Sequence, residues 1–223
     1  MIRRRPLVLA GAGAFGREVA WLVDELNSDS PQFELLGFID DTVTATPEGY
    51  PVLGTVQEWL ASPARDAVVA CTLGDPIARH HVVQSLQAGG ATFATLIHPD
   101  VRRSRWVEVE PGSIICAGSI LTTNIKVGAH AIINLNCTVG HDCVLGELTS
   151  LMPGVHLSGD VHLGRGSYFG TGAVVINDVT IGAWTVVGAG AVVSSDLPAG
   201  VVAVGVPAKA IKSNSRAPVA VAV

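Results

Sequence analysis

Aromatic and charged residues are scarce in this chain: aromatics make up 5% and charged residues 15% of its 223 residues, against 48% hydrophobic. A core of small and branched aliphatic side chains, punctuated by 25 glycines, points to a regular β architecture instead of an aromatic-centred globule. Positive charge is also in short supply. The net charge of -5 excludes nucleic acid as a general partner, because phosphate binding needs a concentrated positive field. The one basic run, Arg3-Arg4-Arg5, sits directly before a strand and reads as a solvated terminus. No apolar run approaches the roughly 20 residues of a membrane span. "PLVLAGAGAFG" follows basic residues as a signal peptide's apolar region would, but it continues into the amphipathic "REVAWLVDEL" and reads as strand, turn and helix. The four cysteines, Cys71, Cys116, Cys137 and Cys143, form no CxxC and stand at no zinc-finger spacing from a histidine. A cytoplasmic protein with reduced, structural thiols is expected.

Residues 1–97 alternate apolar runs with amphipathic ones. Strands are expected at 6–11, 33–41, 66–74 and 91–99, and helices at 17–26, 55–62 and 76–88. This alternation implies a small parallel sheet with helices on its faces, a Rossmann-like α/β domain. The loop "GAGAFG" (Gly11, Gly13, Ala14, Phe15 and Gly16 among its residues) follows the first strand and opens the first helix. In that context a GxGxxG loop makes a tight turn, admits close backbone approach to a phosphate and directs helix N–H groups at it. Asp40 or Asp41, ending the second strand, would suit a ribose or base, and "CTLGD" at 71–75, with Leu73 and Gly74, supplies a further wall. The loop alone suits NAD equally. The sheet region of about 97 residues is followed by no dehydrogenase-type catalytic domain, which disfavours that reading.

From Val109 the grammar changes. Steps of six land on Ile115, Leu121, Val127, Ile133, Val139, Leu145, Leu151, Leu157, Leu163, Phe169, Val175, Ile181, Val187 and Val193, without a slip. A glycine follows the anchor in many repeats, as at Gly128, Gly140, Gly164 and Gly182, and four positions after it the residue is small or apolar, as at Ser119, Cys137, Cys143 and Ala173. A hexad repeat is the signature of a parallel β-helix, in which stacking supplies a core that no single short strand can build. The coil is expected over residues 98–212, with 213–223 as a tail of no readable role. Within this register His141 falls two positions after Val139, so its side chain is not committed to the interior. The adjacent Asp142 can fix the imidazole tautomer and stabilise the imidazolium, which favours a base over a merely solvated corner histidine.

The hexads, "GVPAK" at Gly205–Lys209, the N-terminal "GAGAFGREV" and "GFIDD", and the His–Asp pair together resemble the hexapeptide-repeat acyltransferases. The likeness is to the subgroup that acetylates amino sugars on nucleotides, with the related sialic acid O-acetyltransferases, and it extends to about Ile211. The resemblance implies a left-handed coil of three hexads per turn, where the general preference for right-handed crossovers would suggest the opposite hand. It implies a homotrimer, acetyl-CoA lying between adjacent β-helices, and a nucleotide-linked 4-amino sugar whose nucleotide rests on the sheet domain, with Gly11, Gly13 and Gly16 at its phosphates and Asp40 and Asp41 at its base or ribose. It places the general base at His141, with Asp142 as its tuner and Asn134 as a positioning residue, and takes acetyl-CoA past Ser150, Thr171 and Ala189. Many relatives carry a second histidine where this chain has Ser150. No metal is expected, since His156 and His162, six apart, fall on neighbouring faces of a triangular coil. Cys137 and Cys143 share the inward phase and fill the core, so direct transfer is expected in place of an acetyl-cysteine route. Other readings stay open: an O-acetyltransferase with the same base, an NAD-dependent oxidoreductase, and a non-catalytic β-helix that binds a nucleotide or scaffolds partners.

Overall fold

The computed structural model describes residues 4–62 and 66–218; Arg3 of the basic run and the last five residues of the tail lie outside them. Four parallel strands, β1 (Arg5–Ala10), β2 (Phe33–Ile39), β3 (Val68–Cys71) and β4 (Thr92–Phe93), form a sheet in the order β2-β1-β3-β4. The two middle strands read as unbroken apolar runs because helices cover both faces of the sheet, and their residues from Leu7 to Ala10 and Val68 to Cys71 are buried. Helix α1 (Ala14–Asp29) starts three residues before the expected 17–26, directly after Gly13. Helix α2 (Val56–Ala61) opens on a capping box of Thr55 and Glu58. Helix α3 (Pro76–Ala88) has the expected bounds, set by the Asp75 carboxylate accepting from the Ile77 and Ala78 N–H groups and by Pro76 in the first turn.

The run at 91–99 does not form one closing strand. Thr92–Phe93 pairs with β3, whereas Leu96–Ile97 pairs with Ile114–Ile115 of the coil. One apolar segment thus serves two sheets, and the coil begins at Leu96, ahead of the expected 98. From there the chain winds a triangular prism with partners eighteen residues apart. Its first face stacks Leu96–Ile97, Ile114–Ile115, Ile132–Ile133, Ser150–Leu151, Tyr168–Phe169 and Val186–Val187. The second stacks Arg102–Arg103, Ile120–Leu121, Thr138–Val139, His156–Leu157, Val174–Val175 and Val192–Val193. The third runs from Val107–Val109 through Ile125–Val127, Val144–Leu145 and His162–Leu163 to Thr180–Ile181.

The hexad anchors point inward. From Ile115 to Val193 every sixth residue is buried in one continuous core, and Val109 packs half-buried at its end. The glycines after the anchors are needed for approach between coils: a Cβ on Gly140 would strike the Ser158–Gly159 backbone, and one on Gly164 would strike Ala183. Three residues after an anchor the backbone turns left-handed, as at Asn136 (φ 55) and Asp142 (φ 63), conformations that asparagine and aspartate tolerate better than most side chains. The sheet domain is fused to the first face. Outward Ile114 and Ile132, with Cys116, share a core with Leu7, Leu9, Val19 and Leu96, so the site described next is built on one packed body.

Candidate active site

His141 and Asp142 occupy the edge between the second and third faces, next to Asn124 of the coil below. The Asn124 side-chain N–H donates to Asp142 Oδ1 at 2.6 Å, and His141 Nδ1 meets Asp142 Oδ2 at 2.8 Å. An ionised carboxylate only accepts, so Nδ1 carries the proton and Nε2 is left with its lone pair. Hydrogen bonds from Asn124 and then His141 hold the Asp142 carboxyl below its ordinary range, which keeps it ionised wherever the imidazole works. Gly159 of the next coil lies against the imidazole; a Cβ there would occupy the ring's own place. The ring is thus oriented on one side by a carboxylate and on the other by bare backbone, yet its side chain remains 59% exposed and reachable by a substrate. Asn124 and Gly159 escaped the sequence reading. Both lie eighteen residues from a member of the pair, the one signal that could have found them.

Asp142→Asn is expected to lower the rate constant for any reaction using this base by about tenfold to a hundredfold, a part of the roughly hundredfold to ten-thousandfold that a positioned general base contributes. The amide no longer offsets the charge that the ring takes up with the proton, and single-turnover rates of the variant beside the wild type measure the loss. An unchanged rate would show that the carboxylate does not support the ring.

Other expected site residues separate. Asn134, Thr171 and Ala189 lie on a different edge, between the first and second faces. Thr171 and Ala189 are exposed there on successive coils, each with a glycine on either side. Asn134 is buried and its Oδ1 accepts from the Leu135 N–H at 2.7 Å, so within one chain it shapes its own corner and does not join His141. The expectation for Ser150 is corrected. It is fully buried under the sheet domain, its hydroxyl donating to Gly74 O at 2.9 Å and accepting from Arg79 Nη2 at 2.8 Å, so it faces no groove in which an acetyl or pantetheine group could lie. The cysteines are free and buried, and burial pushes Cys71, Cys116 and Cys137 up to about 11, 12 and 11. Thiols so held are protonated at neutral pH, which speaks against a covalent acetyl-cysteine. Among the described residues no group of three or more His, Cys, Asp or Glu could hold a metal ion.

A second cluster forms at the carboxyl ends of β1 and β3, where the strand order 2-1-3 reverses and open α/β sheets carry their ligands. Each glycine of the first loop has its own task. Gly11 takes φ 115 for the tight turn, and a Cβ on Gly16 would land on Gly11 O, where α1 crosses the strand end. Gly13 has open space beside it and caps α1 without a side chain, leaving the first N–H groups of that helix directed outward beside Ala14 and Phe15. A cleft of about 200 Å³ is lined by Gly11, Asp40, Asp41, Thr42, Val56 and Leu73, and adjoins one of about 610 Å³ between α2 and α3 that shares Asp41, Val56 and Val82.

The two aspartates differ in role. Asp40 Oδ2 accepts from the Ala12 N–H, and Oδ1 accepts from Thr42 and Val43, so its carboxylate chiefly ties the glycine loop to the end of β2. Asp41 is exposed, its Oδ1 accepting from the Val56 N–H, and borders both clefts. Burial raises the Asp40 carboxyl, but the hydrogen bonds from Ala12, Val43 and Thr42 outweigh it and leave the pKa below the ordinary 3.8. Because the folded value is the lower one, this stabilisation is full above the ordinary value and fades as pH falls through the native one. Asp40→Asn should therefore unfold at a lower temperature than the wild type at pH 7, with the gap narrowing toward pH 3. A gap independent of pH would contradict the assignment.

Comparison with known proteins adds four matches. A family model described as the PglD N-terminal domain matches residues 6–86. A GDP-perosamine N-acetyltransferase from Escherichia coli O157:H7 is 29% identical over 167 residues, which are 74% of this chain and 75% of that protein. Among solved structures, the acetyltransferase domain of PglB from Neisseria gonorrhoeae FA1090, in complex with acetyl coenzyme A, superposes with a TM-score of 0.87 at 32% identity, covering 94% of this chain and 100% of that one. A perosamine N-acetyltransferase from Caulobacter crescentus, with one histidine replaced by asparagine and in complex with CoA and GDP-perosamine, gives 0.83 at 32% identity over 94% and 97%. Agreement of that quality along both domains requires the same winding of the coil, which is left-handed.

Proposed function

This chain belongs to the hexapeptide-repeat N-acetyltransferases of nucleotide-linked amino sugars, and from that premise we propose that it acetylates the 4-amino group of a GDP-linked deoxyamino sugar, GDP-perosamine or a close analogue, with His141 as general base. The observation that carries the reading is the His141–Asp142–Asn124 chain, which leaves Nε2 as an oriented, accessible acceptor. The amine nitrogen attacks the thioester carbonyl of acetyl-CoA as Nε2 takes its proton. The tetrahedral intermediate then collapses with cleavage of the C–S bond, and the imidazolium returns the proton to the CoA thiolate. The charged pair with Asp142 offsets the cost of that imidazolium.

The sugar nucleotide lies at the β1/β3 crevice, its phosphates at Gly11, Gly13 and Gly16 beside Ala14 and Phe15, its ribose or base toward Asp41, and Leu73 and Gly74 forming the far wall. Acetyl-CoA runs along the edge of Thr171 and Ala189. In one chain that edge and the His141 edge are different corners of a prism, so a contact between two copies is what brings base and thioester together, and a homotrimer satisfies this for every subunit. No helix among the described residues is long and apolar enough to cross a membrane, and we place the reaction in the cytoplasm, where acetyl-CoA and nucleotide sugars for surface polysaccharides are made available.

The test is thiol release from acetyl-CoA with GDP-, UDP- and dTDP-linked 4-amino sugars, compared with sialic acid and with NADH binding. Turnover with an amino sugar and none with sialic acid supports the proposal. Turnover of the hydroxyl acceptor alone would make the enzyme an O-acetyltransferase, and inertness toward every acceptor would leave a binding protein.

A further inference from the structure

Arg79 of α3 is fully buried, and among the described residues no carboxylate is hydrogen-bonded to it. Its Nε donates to His130 O at 2.9 Å; Nη1 donates to Leu73 O at 2.5 Å and Gly74 O at 3.2 Å; Nη2 donates to Leu148 O at 2.7 Å, Thr149 O at 3.3 Å and Ser150 Oγ at 2.8 Å. The nearby Asp75 carboxylate instead caps α3 and pairs with Arg216 at 2.7 Å. A cation taken out of water with only neutral partners is costly unless every donor is satisfied. Here the planar fork of five N–H groups is matched on both sides, by the loop after β3 and by His130 and residues 148–150 of the coil. Ser150 completes the join by donating back to Gly74 O at 2.9 Å.

The loop so held has two sides. Its carbonyls at Leu73 and Gly74 face the guanidinium, while the Leu73 side chain lines the cleft with Gly11 and Asp41. We propose that Arg79, with Ser150 as its anchor on the coil, is a positioning residue that sets the far wall of the nucleotide cleft relative to the catalytic coil. Ser150, expected from the sequence to lie near acetyl-CoA, thus serves the sugar-nucleotide side of the reaction. The inference rests on the reading of that cleft as the nucleotide site. A lysine cannot reproduce the fork, since three donors on one nitrogen cannot span loop and coil together. Loss of the Ser150 hydroxyl removes its two hydrogen bonds, with Arg79 and Gly74, without changing any residue of the sheet domain.

Titration calorimetry on the intact wild type, Arg79→Lys and Ser150→Ala, with GDP, UDP, dTDP and CoA as separate probes, tests this. The expected result is about tenfold weaker binding of the preferred nucleoside diphosphate by Arg79→Lys and a few-fold loss for Ser150→Ala, since one charge-assisted hydrogen bond is worth about a factor of ten. CoA affinity should stay within about twofold. Should Arg79→Lys fail to fold, Ser150→Ala decides the question alone. Equal losses for CoA and nucleotide, or a lowered Tm with both affinities unchanged, would overturn the inference, because a role confined to holding the domains together predicts those patterns. A wild type that binds CoA but none of the three nucleotides would overturn the reading of the cleft and this inference with it, an outcome distinct from the variants' failing to differ.

Discussion

Replacing His141 by asparagine should lower kcat/KM for an amino-sugar acceptor by about two to four orders of magnitude, the span by which positioned general bases accelerate proton transfer. Asparagine keeps a polar side chain of similar reach, able to donate to Asp142, and it leaves the bare Gly159 backbone uncovered only in part. The fold and the affinity for both substrates should therefore survive, because nothing in the coil's core depends on a side chain that is 59% exposed. Binding of CoA and nucleotide by calorimetry, beside steady-state rates, separates loss of chemistry from loss of binding. A variant with an unchanged rate would remove the base assignment while leaving the fold and both clefts as described.

The second large effect concerns the coil. Phe169 is the one aromatic among the hexad anchors, fully buried at the prism centre in register with Leu151 below and Val187 above. Phe169→Ala should cost about 3–5 kcal/mol, the transfer free energy of the ring plus the cavity left behind, and Phe169→Leu under about 1.5 kcal/mol, since leucine already serves as anchor at Leu121, Leu145, Leu151, Leu157 and Leu163. Each coil touches only its neighbours, so the defect weakens two interfaces at once. Urea unfolding at fixed protein concentration measures it, the concentration being held because association contributes to apparent stability. A loss below about 1 kcal/mol for the alanine variant would mean that the prism collapses around the gap, at odds with a backbone pinned by hydrogen bonds on every side.

How much of this was legible beforehand follows from the range of the interactions involved. The hexad run was readable because a strand of two residues, a corner and a buried anchor recur every six positions, and each repeat meets only a copy of itself eighteen residues away. The glycine loop and the bounds of α3 were readable for a similar reason: Asp75, Pro76 and Gly11 act on their immediate neighbours. The exposure of His141 followed from its phase after Val139. Its partner Asp142 was adjacent in sequence, whereas Asn124 and Gly159 needed the coil spacing to be applied to the site itself.

The misreadings share a different cause. Ser150 and Thr171 look alike as small polar residues of the same coil, yet the sheet domain lies over one and not the other. The run at 91–99 is apolar throughout, and nothing within it marks where pairing passes from β3 to the coil. Asp40 lines the cleft, but that its carboxylate also holds the Ala12 N–H is visible only in the fold. The hexad sequence by itself determined a stacked β coil with a histidine on its surface, because period and turn chemistry are local. The tertiary structure alone decided which face is covered, which carboxylate stays exposed and how Arg79 joins the two halves, because burial and hydrogen-bond satisfaction depend on groups that meet only after the chain has folded.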